Sequence, residues 1–121
     1  MASQVQLQPS TTQTAQVSIL GRGNGGSRGM QLILNVTQTT GGSLTLTILG
    51  YDPGSQTYYP MLVGNLITTT GTYVFRIDPL LQPVANLVAQ DIVPPQWGVQ
   101  VVPADNVNTW TYSLGVNLLD P

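Results

Sequence analysis

The feature that most constrains this chain is the strict two-residue alternation of apolar and polar side chains in segment after segment. In residues 110–118 (WTYSLGVNL), Trp110, Tyr112, Leu114, Val116 and Leu118 alternate with Thr111, Ser113, Gly115 and Asn117. Residues 30–38 (MQLILNVTQ) put Met30, Leu32, Leu34 and Val36 on one face, and Gln31, Ile33, Asn35 and Thr37 on the other. Residues 43–50 (SLTLTILG) repeat the pattern with Leu44, Leu46 and Ile48 inward and Thr45 and Thr47 outward. A side chain changes face at every residue only in a strand, so this period predicts half-buried β-strands with one wet face. Two further stretches follow the same rule: Tyr73, Phe75 and Ile77 share a face, as do Trp97, Val99 and Val101. Val17 and Ile19 in AQVSIL make a first, weaker strand.

Turn chemistry separates these runs. Gly41-Gly42 between two alternating segments reads as a hairpin. Asp52-Pro53-Gly54-Ser55 reads as a second corner, with Pro53 preset for the first central position and Gly54 supplying the positive φ of a type II turn. The chain then returns through residues 56–61, so Tyr58 and Tyr59 point to opposite faces and only one can stand out from the surface. Residues 80–90 (LLQPVANLVAQ) carry the one helix-like spacing, at Leu80, Leu81, Val84, Leu87 and Val88. Pro83 spoils it, and a crossing segment is expected instead. The sum is an all-β chain: an antiparallel β-sandwich or jelly-roll-like barrel of about seven or eight strands with at most one short helix. At 121 residues it forms one domain. Residues 1–14, rich in Ser, Thr and Gln, have no sustained apolar period and are expected to be an extended polar arm, with the sandwich occupying residues 15–121.

Charge is scarce. The chain has no Lys, Glu, His or Cys, and charged residues are only 7% of it. Without His or Cys there is no Ser-His-Asp or Cys-His nucleophile and no ordinary zinc site; without Lys there is no Schiff base or phosphate-gripping lysine. Asp52, Asp78, Asp91, Asp105 and Asp120 are scattered, with no calcium-loop spacing. No enzyme activity, metal or cofactor is expected. Arg22, Arg28 and Arg76 are too few for a nucleic-acid partner. No apolar run approaches the roughly 18 residues that span a bilayer, so no membrane partner is expected, and the N-terminus has neither the basic start nor the apolar stretch of an export signal. Charged residues commonly make up about 25–35% of a free-standing surface, so a surface of Thr, Gln and Asn points to assembly with other subunits. The absence of Lys and Glu also leaves edge strands without charged guards, which a trimer or a dock on a larger surface would cover.

Two features remain as partner-binding candidates. The glycine-rich residues 21–29 (GRGNGGSRG) lack G-K-[ST] and lead into a strand, so they are no phosphate loop. They read as a mobile connection whose Arg22 and Arg28 could pair with a neighbour's carboxylates. Trp97, Trp110 and Tyr112 sit at inward positions and belong to the core; Tyr51, Tyr58 and Tyr59 are the aromatic candidates for the surface.

The glycine-flanked arginine before the first strong strand (GRGNGGSRGMQLILNVT), the hairpin L-x-L-x-I-x-G-x-D-P-x-S-x-x-Y-Y-x-x-L, the run T-G-T-Y-V-F-R-I-x-P, the V-P-x-x-W-x-V-x-V strand and the closing T-Y-S-L-G-V-N-L strand resemble a family of small structural proteins of tailed bacteriophages. The resemblance runs from about residue 21 to residue 118, through residues of the β-scaffold. It departs from the family pattern at Pro95, Gly98 and Gln100, where basic residues are usual. The resemblance implies a virion component: a head decoration, or cement, protein bound to the major capsid protein on the outer capsid surface, which it stabilises. The other reading is a carbohydrate- or receptor-binding module of a tail or baseplate.

Overall fold

The computed structural model describes residues 3–24 and 26–119. It contains nine strands: β1 (Ser3–Gln13), β2 (Val17–Gly23), β3 (Gly29–Thr39), β4 (Leu44–Asp52), β5 (Thr57–Val63), β6 (Gly71–Ile77), β7 (Val88–Ala89), β8 (Gln96–Pro103) and β9 (Trp110–Leu119). They form a five-stranded sheet in the order β1-β9-β3-β6-β7 and a four-stranded sheet in the order β2-β8-β4-β5. Every pairing is antiparallel except the short β6-β7 pair. The fold is thus a β-sandwich, and there is no helix among the described residues.

Alternation builds the core directly. The inward sets of β3 and β9, Met30 to Val36 and Trp110 to Leu118 at every second residue, are buried, and they meet Leu44, Leu46 and Ile48 of β4 and Trp97, Val99 and Val101 of β8 from the other sheet. Phe75 and Ile77 of β6 complete this layer. Burying an aliphatic side chain contributes about 1.5–3 kcal/mol, so these two inner faces supply most of the stabilisation. The Trp97 indole donates to the Gly23 carbonyl at 3.2 Å, which satisfies its one polar atom at the sandwich rim.

Three expectations are corrected. First, residues 3–13 are not an arm standing apart from the domain: they are extended and polar, but they pair with β9 as the edge of the five-stranded sheet. An edge strand with solvent on its outer face needs few apolar residues, and Val5 and Leu7 are its only ones packed on the core. Second, Gly41-Gly42 does not close a hairpin. β3 and β4 lie in different sheets, so the connection arches across the sandwich, with φ of 137° at Gly41 and 75° at Gly42. Third, residues 21–23 belong to a strand rather than to a connection. β2 continues through Gly21, Arg22 and Gly23 by means of a bulge between Ile19 and Arg22, where Gly21 takes φ 71°.

The expected crossing segment at residues 80–90 is found. It leaves β6 through a turn, makes the β7 pair, and reaches β5 through Asn86, whose Nδ2 donates to the Val63 carbonyl at 2.9 Å. It therefore covers the side of the sandwich between the two sheets.

Candidate functional site

The Asp52 corner is a hairpin corner, as its sequence predicts, but with a different turn. β4 and β5 pair from Asp52↔Thr57 onward, and the positive φ falls on Gln56 (59°), not on Gly54. The Asp52 side chain organises the turn by accepting from the Gly54 N–H at 3.0 Å and the Ser55 hydroxyl at 2.8 Å. These bonds, the Ser55 hydroxyl first, hold its carboxyl below the usual carboxylate range.

The tyrosines beside this corner diverge. Tyr51 and Tyr58 are a cross-strand pair with ring centroids 5.0 Å apart and planes tilted by 58°. The Tyr58 hydroxyl accepts from the Gly21 N–H at 2.9 Å and from Gln96 Nε2 at 3.0 Å, which ties β5 to β8 and to the bulge of β2. Tyr59 faces the opposite way and its ring lies on Gly50, where a Cβ would come within 2.6 Å of it. Tyr59 is exposed, so it is the one surface finger of the three. Tyr51, Pro53, Pro95 and Gln96 line a depression of about 150 Å³ beside the pair. A tilted pair whose second hydroxyl is spent on a backbone amide offers no flat platform for a sugar ring.

The two arginines lie on different elements, Arg22 within β2 and Arg28 just before β3. Arg22 sits in β2 opposite Trp97 of β8 and is half-buried. Arg28 places its Nε 3.7 Å from Oδ1 of the buried Asp78, just before β3. The described residues of the intervening segment are anchored through Asn24. The Asn24 Nδ2 donates to the Val93 carbonyl at 3.0 Å, its Oδ1 accepts from the Gly26 N–H at 2.9 Å, and its own N–H donates to the Pro95 carbonyl at 3.2 Å. Asn24 is the residue that sequence reasoning missed. A side chain that can bond the backbone two residues on is the signal that could have found it.

At the opposite end, Asp105 does similar work. Its carboxylate accepts from the Asn108 and Val107 N–H groups at 2.9 and 3.0 Å, which lower its pKa, and Asn108 in turn accepts from the Thr40 hydroxyl at 3.0 Å. No cluster of three or more metal-ligating side chains occurs among the described residues.

Two surfaces remain. On the outer face of the five-stranded sheet, Gln4, Gln6, Ile33, Asn35, Ser113, Gly115 and Asn117 border an open groove of about 450 Å³. Its amides are already engaged in part, since Asn117 donates to Gln31 at 2.9 Å and Thr72 to Asn35 at 3.2 Å. It has no aromatic or charged side chain in its lining. The second surface is the segment that closes the sandwich between β6 and β5. There Leu80 is 75% exposed, Val84 48% and Leu87 46%, with Leu81, Ile92 and Val63 also exposed. Among the described residues, seven of the ten exposed large apolar side chains fall between residues 63 and 92.

In fold the chain is similar to the SPBc2 prophage-derived protein YomS, at 10% identity and a TM-score of 0.59, over 98% of this chain and 92% of that one. It is also similar to a protein of Bacillus endospore appendages, described as disulfide-linked pili, at 12% identity and a TM-score of 0.52, over 100% of this chain and 88% of that one. No family model matches the chain, and no curated protein matches it in sequence.

Proposed function

We propose that this protein is a structural subunit of a phage virion, a decoration protein that docks on the major capsid protein at the outer capsid surface as a trimer and stabilises the head. The observation that carries this reading is the exposed apolar ridge of Leu80, Val84 and Leu87 on a sandwich with almost no charge. Such a ridge is stable in water only at a cost, and covering it with a partner removes that cost. The full-length likeness in fold to a prophage-derived protein supports the same direction, as do the scaffold motifs of the phage family. Mechanically, a subunit bound across capsomer joints stabilises the closed head by mass action, because it binds the assembled shell and not its parts. No chemistry is needed.

The carbohydrate-binding alternative has less behind it: the groove lacks aromatics and Tyr51 and Tyr58 are joined to each other. The test is sedimentation of the purified protein with heads lacking it, comparing the unmodified chain with the Leu80→Asp/Leu87→Asp variant. Loss of two apolar anchors should weaken binding by about 10²-fold or more, with an unchanged melting temperature. Full binding by the variant would remove the ridge from the mechanism, and a hit on a glycan array by a chain that ignores heads would favour the alternative.

A further inference from the structure

The segment that carries the exposed ridge, residues 79–92, has little apolar packing of its own. Leu80 is 75% exposed, and Leu81, Val84, Leu87 and Ile92 are exposed as well. Such a segment lies at the low end of local stability, so its polar ties decide where it sits. Midway, the Arg76 and Asp78 N–H groups donate to the Leu87 and Ala89 carbonyls at 2.9 and 3.1 Å, and these bonds make the β7 pair. The two ends of the segment meet at a single residue.

That residue is Arg28. Its Nε lies 3.7 Å from Oδ1 of Asp78, just before the segment, and its backbone carbonyl accepts from the Val93 N–H, just after the segment, at 3.2 Å. Val93 is buried in the core, and its carbonyl accepts from Asn24 Nδ2 at 3.0 Å. Asp78 Oδ1 also accepts from the Leu80 N–H at 2.9 Å, so one carboxylate links the guanidinium to the first turn of the segment. Asp78 is buried, and among the described residues Arg28 is the one cation within ion-pair distance of it.

A buried carboxylate is tolerated when paired and costly when left alone. Without the guanidinium, Asp78 must regain water, and one of its two neighbours along the chain has to move. The strand before it is fixed: Phe75 and Ile77 are core residues, and β3 passes so close that a Cβ on Gly29 would lie 2.7 Å from the Ile77 carbonyl oxygen. The exposed turn after it is the side that yields.

We propose that Arg28 and Asp78 form a latch, in which the pairing of their charges keeps residues 79–92 closed on the sandwich and so sets the position of Leu80, Val84 and Leu87. They are positioning residues for the ridge. The consequence for docking rests on the reading of the ridge given above; the latch does not.

Hydrogen exchange of the isolated protein tests it, at the Leu80, Leu81 and Val84 amides against the β9 amides of residues 112–116 as an internal reference. The Arg28 side chain is 37% exposed, which screens the pair and sets the expected change at about tenfold, below the 10²-fold or so of a fully buried pair. Arg28→Met should therefore speed exchange in the segment about tenfold and leave β9 unchanged. Adding Asp78→Asn, which keeps an acceptor for the Leu80 N–H but no longer needs a counter-charge, should bring the segment back to within about threefold of the unmodified chain. Unchanged exchange in Arg28→Met, or a double variant as open as the single one, overturns the latch. An Arg28→Met chain that does not fold, or whose β9 amides accelerate in step, overturns it too, because the pair would then support the whole sandwich and not the segment. In sedimentation with heads, Arg28→Met should bind more weakly and the double variant should regain binding. Failure of the unmodified chain to bind heads would touch only the proposed function.

Discussion

Two glycines at mid-strand positions, Gly98 in β8 and Gly115 in β9, should respond to alanine in opposite directions. Alanine in a strand interior gains about 0.5–1 kcal/mol over glycine by restricting the unfolded chain. At Gly115 a Cβ meets only the Val5 carbonyl, at an ordinary 3.8 Å, so that gain is kept. At Gly98 a Cβ would lie 2.8 Å from the Ile19 carbonyl oxygen and 3.1 Å from the Leu20 Cα. Both atoms are backbone, on the β2 bulge that passes over this position, and cannot swing aside as a side chain would. Overpacking of this kind costs about 1–3 kcal/mol, which exceeds the gain and leaves a net loss of about 1–2 kcal/mol. With an unfolding entropy of about 2.1 cal/mol/K per residue, a 121-residue chain loses roughly 0.25 kcal/mol of stability per degree, so 1 kcal/mol is about 4 °C. Gly98→Ala should melt about 4–8 °C below the unmodified chain and Gly115→Ala about 2–4 °C above it. Thermal melts followed by near-UV circular dichroism of the buried tryptophans would show this. Equal shifts of the same sign would refute the argument, since they would mean that the β2 bulge does not press on Gly98.

Burial pushes the Tyr112 hydroxyl up to about 12, and the neighbouring Gln8 side chain, which falls short of hydrogen-bonding geometry, acts the other way. An unfolded tyrosine ionises near 10, so between about pH 10 and 12 the unfolded state gives up this proton first and stability falls as pH rises. Tyr112→Phe should flatten that fall and, having removed a buried hydroxyl without a partner, be neutral or up to about 1 kcal/mol more stable at pH 7, read as urea midpoints at pH 7 and 11. A clear loss at pH 7 would show that the hydroxyl has a stabilising partner. Tyr58→Phe should cost about 1–2 kcal/mol and speed amide exchange at Gly21, whose N–H loses its acceptor. Unchanged exchange there would mean that the bond does not hold the bulge.

The faces of the strands were legible in the sequence because burial is a local consequence of period two. Met30, Leu46, Phe75, Val99 and Leu114 all lie inside, as the alternation predicts. Pairing was not legible. Gly41-Gly42 supplies the freedom to reverse, but whether the chain returns beside β3 or arches to the opposite sheet depends on β6 and β9, which claim both edges of β3 from residues far along the chain. β1 was missed as part of the sheet for a physical reason: a strand whose outer face and free edge are wet needs little apolar pattern, and two aliphatic residues suffice. At the candidate site, the outward course of Tyr59 followed from parity. The inward engagement of Tyr58 did not, since its partners Gly21 and Gln96 sit on two other strands.

Three of the long edge strands carry built-in interruptions: Pro9 and two register breaks in β1, Pro60 in β5, and the Gly21 bulge in β2. A newcomer aligning along any of them would run out of donors or lose step within a few residues. Lateral growth by edge-to-edge stacking of these subunits is therefore self-limiting.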